Sequence, residues 1–336
     1  MLPQFFFISG IQCHMYRQTV SNKKLSIMLA KRGGALLLLE LAVNNFLYTF
    51  DPYYGTTGVF ILAMLGISLL LLSVLIYLPS RVLLFLSIMA VFGHHLLDGF
   101  HVGETFLLDL LGSLIHEQQF IETKATLFII NYTILPWAPL LWIGYVIGHW
   151  FDPTYPKDKR KQKLRFLGIA CLLLFIILRI SGWYGEASPW LIDANSFPMT
   201  LMSFFDLTKY PASLCLLACI FGVMLLLLGS FEDSGTKVTK ALTTYGQHSL
   251  LIYLFSTLIL HLTALVILPI EGISMSAMII KPESYLLGNE LENHGFPLIT
   301  VYAIWIFAII TLYLLFQQLT FTPRSKTNQQ DRITND

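Results

Sequence analysis

The segment GHHLLDGFH at 93–101 holds the densest set of reactive side chains in a chain otherwise poor in them. His94 and Asp98 stand four positions apart, so on a helix they share a face. A carboxylate beside an imidazole fixes its tautomer and strengthens it as a base, which suits a general acid, a general base or a nucleophile. His101 joins the same face if the helix continues, although Gly99 allows it to end there. Two His and one Asp lack the fourth ligand of a zinc centre, so no metal is expected. The plainer alternative is a helix end in a headgroup layer, where these side chains are simply wet.

Four further residues make a candidate substrate-binding set. RISGWYGEASPW at 179–190 supplies Arg179 and Tyr184, and DLTKYPASL at 206–214 supplies Lys209 and Tyr210. Both cations stand in acid-leaning surroundings and suit a phosphate, a carboxylate or the polar groups of a sugar. Snorkelling of Arg179 and an interfacial belt of Trp and Tyr are the structural alternatives. Two intramembrane polar residues complete the inventory. Glu40, in LLLLELAVNN, has Asn44 on its own face and should have a partner, a cation being one choice. His261 stands mid-way in YLFSTLILHLTAL and reads either as packing or as a proton carrier.

Such residues are expensive here because the chain is built for lipid. Hydrophobic residues make up 55% and charged residues 12%, against roughly 25% charged in an ordinary soluble domain. Nine apolar stretches follow one another: Leu2–Met15, Gly34–Phe50, Val59–Leu78, Val82–Leu97, Ala125–Trp150, Phe166–Ile180, Pro211–Gly229, Gly246–Pro269 and Pro297–Phe316. Each must satisfy its own backbone, so the expected fold is all-α, a polytopic bundle of about nine transmembrane helices. Residues 1–322 then form one domain, and 323–336 a polar, disordered cytoplasmic tail. Pro136 and Pro139 should kink the fifth span and free carbonyls. The four cysteines lie in apolar runs and read as small buried residues.

Charge sets the expected orientation. Arg17, Lys23, Lys24, Lys31 and Arg32 follow the first stretch; Lys157, Lys159, Arg160, Lys161, Lys163 and Arg165 precede the sixth; Arg324, Lys326 and Arg332 end the chain. Acids dominate the intervening loops, with Glu104, Asp109, Glu117 and Glu122 in one and Glu283, Glu290 and Glu292 in another. Basic loops stay cytoplasmic, which places the C-terminus inside and the start outside. The lipid bilayer is the expected partner. No nucleic acid is expected, because no basic patch interleaves with aromatics. The first stretch has 14 residues, fewer than the roughly 20 of a span. Its basic charge follows rather than precedes it, unlike a signal peptide. It reads as a span missing its outer end and a helix before it.

The chain resembles bacterial heparan-alpha-glucosaminide N-acetyltransferase-like catalytic domain proteins, a family of transmembrane acyltransferases. KRGGALLLLELAVNNF, GHHLLDG, LPWAPLLWIGYVIG, RISGWYGEASPW, DLTKYPASL and YGQHSLLIYLFSTLILH occur in the family's order. The resemblance implies acetyl-CoA or another acyl-CoA as donor, an envelope sugar or glycan as acceptor, and a multi-pass protein of the bacterial inner membrane. It also implies an opening helix with an Asp-His element, which would precede residue 1, and a second late histidine where Ser256 stands. His94 and Asp98 are then the surviving acid–base pair, and Arg179, Lys209 and Tyr210 hold the acceptor or the carbonyl oxygen. A proton-coupled transporter or flippase of an envelope precursor, using Glu40 and His261, is the rival reading, and a non-catalytic relative the third. A homo-oligomer is compatible with all three.

Overall fold

The computed structural model describes residues 2–321 apart from 101–102, 104, 233–241, 244, 289 and 293. It divides into two compact units, residues 1–233 and 234–336. The first unit opens with α1 (Leu2–Arg17) and α2 (Asn22–Leu39), which a π-turn at Glu40–Asn44 joins to α3 (Asn45–Thr49). Strand β1 (Thr56–Val59), α4 (Ile61–Leu75) and α5 (Ser80–Gly93) follow, and a 3₁₀ turn at His94–Leu97 ends α5. Next come α6 (Phe106–Ile115), β2 (Gln119–Glu122), β3 (Leu127–Ile130) and α7 (Ile134–Ile147), which a second 3₁₀ turn carries to Phe151. The unit closes with α8 (Lys157–Ser181), α9 (Phe197–Phe205) and α10 (Leu214–Phe231).

Six helices among the described residues are long and apolar enough to cross a membrane. They are Ser80–Leu97, Ile134–Phe151, Lys157–Ser181 and Leu214–Phe231 in the first unit, and Ser249–Ile270 and Leu298–Gln317 in the second. Large apolar side chains stand exposed along them, Phe85 and Ile177 among others, as a lipid-facing surface requires. The remaining expected spans differ in kind. α1 has 16 residues and α4 has 15. α2 begins at Asn22, so Lys23, Lys24, Lys31 and Arg32 lie on a helix rather than in a loop. The expected tail at 323–336 lies outside the described residues.

The expected span Ala125–Trp150 also needs correcting. Its first part is β3, which pairs in parallel with β1 and antiparallel with β2. Regular helix begins after Leu135, whose φ −98° and ψ 126° are extended, as a residue before proline prefers. Pro136 and Pro139 therefore occupy the first turn instead of kinking a mid-span. Proline at 139 has no N–H for the Leu135 carbonyl, and the Thr133 hydroxyl donates to that oxygen instead.

Helix pairs α1–α7, α2–α4 and α8–α10 make the main contacts of the first unit. The first pair approaches at backbone distance. A Cβ on Gly10 would lie 1.9 Å from the Leu141 carbonyl oxygen, and one on Gly144 2.0 Å from that of Phe7. Small residues permit such contact where lipid supplies no hydrophobic drive between helices. At the basic end, Arg160 of α8 holds the Glu232 carboxylate just beyond α10 through both Nε and Nη2. In the second unit the two long helices pack together, and His261 stands half-buried within Ser249–Ile270.

Candidate functional site

The 3₁₀ turn after α5 decides which side chains meet. An α-helix would align His94 with Asp98, but the turn ends at Leu97 and Asp98 leaves it with extended backbone. Gly99 follows at φ +77°, a conformation that favours glycine and prevents continuation. In a 3₁₀ turn the residues three apart eclipse, so Asp98 faces His95. Nδ1 of His95 lies 2.6 Å from Asp98 Oδ2. The expected His94–Asp98 pair is not formed. His101 lies outside the described residues.

His94 is buried, and both its ring nitrogens face main-chain carbonyls: Val91 at 2.8 Å and Ala212 at 3.0 Å. A neutral imidazole donates to only one of these carbonyls, and the other closes off the second nitrogen, so neither is open to a substrate. His94 instead ties the end of α5 to the segment before α10. His95 is likewise fully engaged. Its Nε2 accepts the Leu214 N–H at 3.1 Å, an amide in the first turn of α10 that no intrahelical bond can satisfy. That acceptor role fixes the proton on Nδ1, where it is donated to Asp98.

The second partner of Asp98 is His116, just past the end of α6, with Nε2 2.7 Å from Oδ1. His116 is buried, 7% exposed, and among the described residues its Nδ1 has no hydrogen-bond partner. Donation from Nε2 to the carboxylate leaves Nδ1 as the unprotonated nitrogen. Asp98 thus holds two imidazoles in fixed tautomers, and one of them keeps an unused lone pair. Burial acts to raise the Asp98 carboxyl, but the two imidazole bonds outweigh it and hold the group below its ordinary value. His94 stacks beside this group, its ring centre 4.2 Å from that of His95 and 5.7 Å from that of His116.

The segment 206–214 closes the cluster. The Ser213 hydroxyl caps α10 by accepting the Leu216 N–H at 3.0 Å and donates to Glu186 Oε2 at 2.7 Å. Glu186 also accepts the Thr208 N–H. Tyr184 lays its ring against His95, 5.6 Å between centres, and donates its hydroxyl proton to the Phe92 carbonyl. The Tyr210 hydroxyl meets that of Tyr132 at 3.1 Å. Lys209 is exposed, with Nζ over the Tyr210 ring at 4.7 Å. The GHHLLDG and TKYPAS segments therefore meet, as one site requires. Sequence reasoning missed His95, His116 and Glu186. The spacing of His95 and Asp98 was the available signal for the first; nothing local marks the other two.

Two expected site residues do other work. Arg179 is buried, and its guanidinium donates to the carbonyls of Phe204, Ser188, Ser203 and Asp206 at 2.7–2.9 Å. It folds the 188–206 loop back onto α8, and those bonds leave no fork of donors to grip a substrate. Arg179→Lys removes the planar fork and is expected to destabilise the unit by about 2–4 kcal/mol. Thermal unfolding with loop proteolysis checks this; an unchanged cleavage pattern at 188–206 contradicts it. Glu40 is fully buried in the π-turn. Asn44 Nδ2 donates to Oε1 at 2.5 Å, and the N–H groups of Leu62 and Ala63 donate to Oε2 at 2.9 and 3.1 Å. Its partners are a helix N-terminus and an amide, not a cation. His261 belongs to the second unit. Among the described residues no group of three His, Cys, Asp or Glu is arranged to hold a metal.

A family model described as heparan-alpha-glucosaminide N-acetyltransferase, catalytic, matches residues 1–183. The match takes in α1 to α8 and therefore His94, His95, Asp98 and His116. No curated protein and no solved structure matches the chain.

Proposed function

The chain belongs to the heparan-alpha-glucosaminide N-acetyltransferase catalytic family, and from that premise we propose that it moves an acyl group from an acyl-CoA, acetyl-CoA first, to an amino or hydroxyl sugar of an envelope glycan. In this reading the protein lies in a bacterial inner membrane. Its basic helix ends and C-terminus are cytoplasmic, and the Asp98 cluster faces outward.

The observation that supports the reading is His116 Nδ1, which has no partner among the described residues and stands on the ring opposite the nitrogen that meets Asp98. That pairing makes a general base: the nitrogen takes a proton and the carboxylate compensates the charge that develops. The acceptor's amine or hydroxyl attacks the acyl carbonyl and its proton passes to His116 Nδ1. The carbon–sulfur bond breaks, and the proton is returned to the departing thiolate. Lys209 and Tyr210, carried on the segment that seals the cluster, supply donors for the acceptor or the carbonyl oxygen. His94 positions that segment through Ala212 rather than reacting.

The full chain in lipid nanodiscs, given acetyl-CoA and an amino sugar, free or lipid-linked, is expected to release free CoA thiol only when both are present. Absence of turnover with every amino sugar tried would count against the proposal. The transporter reading draws no support from Glu40, whose Oε2 caps α4 and whose Oε1 accepts from Asn44.

A further inference from the structure

A groove of about 450 Å³ runs along the helices of the first unit, bounded by α5, α7, α8 and α10 with Phe7 of α1. Val91, Phe92 and Leu214 line one end; Ile147, Trp150 and Leu167 line the other. From Leu214 to Leu225 on α10 the lining extends roughly 16 Å at the usual helical rise. Every lining side chain is apolar.

The first end of the groove is built from the residues that anchor the catalytic cluster. His94 Nδ1 lies 2.8 Å from the Val91 carbonyl, Tyr184 donates to the Phe92 carbonyl, and His95 accepts the Leu214 N–H. The side chains of Asp98, His95 and His116 do not themselves line the groove; the cluster meets it through the main chain of Val91, Phe92 and Leu214. Sugars and the amide-bearing arm of CoA are poor occupants, because their polar groups would lie there without partners. A hydrocarbon chain meets no such penalty and gains from burial. Ile88 and Phe92 on the wall are exposed, so the groove is open along its side. A chain already resident in the bilayer can enter through that opening; a group delivered from water would have to cross lipid first.

We propose that this groove seats the alkyl chain of a membrane-anchored acceptor whose amino or hydroxyl head lies at the Asp98–His116 pair. The acceptor is thus a lipid-linked sugar and not a free one. The inference rests on the acyl-transfer reading of the same site and narrows its substrate class.

The test uses the full chain in nanodiscs and an alkyl glucosaminide carrying a photoactivatable diazirine at the end of its chain, with no acyl donor present. Crosslinks mapped by mass spectrometry are expected at Ile147, Trp150 and Leu167. They should saturate, and dodecyl glucosaminide should compete where free glucosamine does not. Ala218→Trp, which fills the groove, should cut labelling by at least about tenfold. Ala170→Leu is the milder second variant, and thermal unfolding reports whether each variant folds. Labelling that falls on lipid-facing residues such as Phe85 and Ile177, or that does not saturate in the unmodified chain, overturns the proposal whatever the variants do. Turnover of free glucosamine with no groove labelling would sink this inference alone. Groove labelling without any turnover would sink the acyl-transfer reading and leave the binding site.

Discussion

Asp98→Asn is expected to lower acyl transfer by about 10²- to 10⁴-fold in a protein that still folds, and His116→Ala to do the same. Asp98 accepts an imidazole proton on each oxygen. Asparagine offers one acceptor oxygen and one NH₂, so one imidazole must turn its lone pair towards residue 98. If His116 changes tautomer, Nδ1 becomes a donor and the base is lost. If His95 changes, its Nε2 gains a proton and the Leu214 N–H loses its acceptor. The first outcome separates this pair from a merely structural one, because activity then falls much further than stability; the second would lower stability and leave the His116 base in place. His94→Asn makes the contrast: the His94 nitrogens face only carbonyls, so thermal stability should fall more than chemistry. The pH dependence has a definite sign. A carboxyl held below its ordinary value contributes its interactions above the unfolded value, and loses them as pH falls through the lowered folded one. The Asp98 contribution should therefore be full above the ordinary carboxylate range and decline as pH falls from there through the lowered folded value. Acceptor-dependent CoA release measured across pH checks both points, and unchanged rates for folded Asp98→Asn and His116→Ala would remove the pair from catalysis.

The long apolar helices could be read from composition because lipid-exposed helices show their solvent directly in sequence. Two kinds of feature could not. Leu127–Ile130 continues an apolar run into α7, and periodicity does not tell a short buried strand from the start of a helix. The π-turn at Glu40 and the 3₁₀ turn at His94 change the angular step between residues, so faces drawn with α-helical spacing hold at one and fail at the other. The Glu40–Asn44 contact survives its bulge. The His94–Asp98 contact does not survive the turn, and His95 takes the place of His94. Arg179 and Glu40 stand out in the sequence as costly residues, and in the structure each has partners. Those partners are main-chain carbonyls and amides, which every residue carries and no sequence pattern marks. His116 is brought in by the fold alone, across 18 residues from Asp98.

Glu40 also gives the largest expected effect on folding. Its Oε2 accepts the N–H groups of Leu62 and Ala63, two of the orphan donors in the first turn of α4, where no N-cap side chain serves. The same carboxyl receives Asn44, so one side chain ties the π-turn to the next helix. Asn45 continues the seam by bonding both the N–H and the carbonyl of Gly58 on β1. Glu40→Leu would strand three buried donors, and each unsatisfied group costs about 1–3 kcal/mol, so a loss of at least about 3 kcal/mol is expected. Glu40→Gln should cost far less. Its carbonyl oxygen can take the two backbone amides, and its NH₂ can donate to Asn44 Oδ1, which lacks a partner at present, once the Asn44 amide turns over. Thermal unfolding of purified protein in detergent distinguishes the two. A carboxylate that carried protons for transport would show the reverse pattern. Glu40→Gln would then fold normally and abolish proton-coupled uptake in vesicles, and Glu40→Leu would unfold no earlier than the unmodified chain. The capping geometry predicts that Glu40→Leu fails to fold stably, while Glu40→Gln keeps whatever activity the chain possesses.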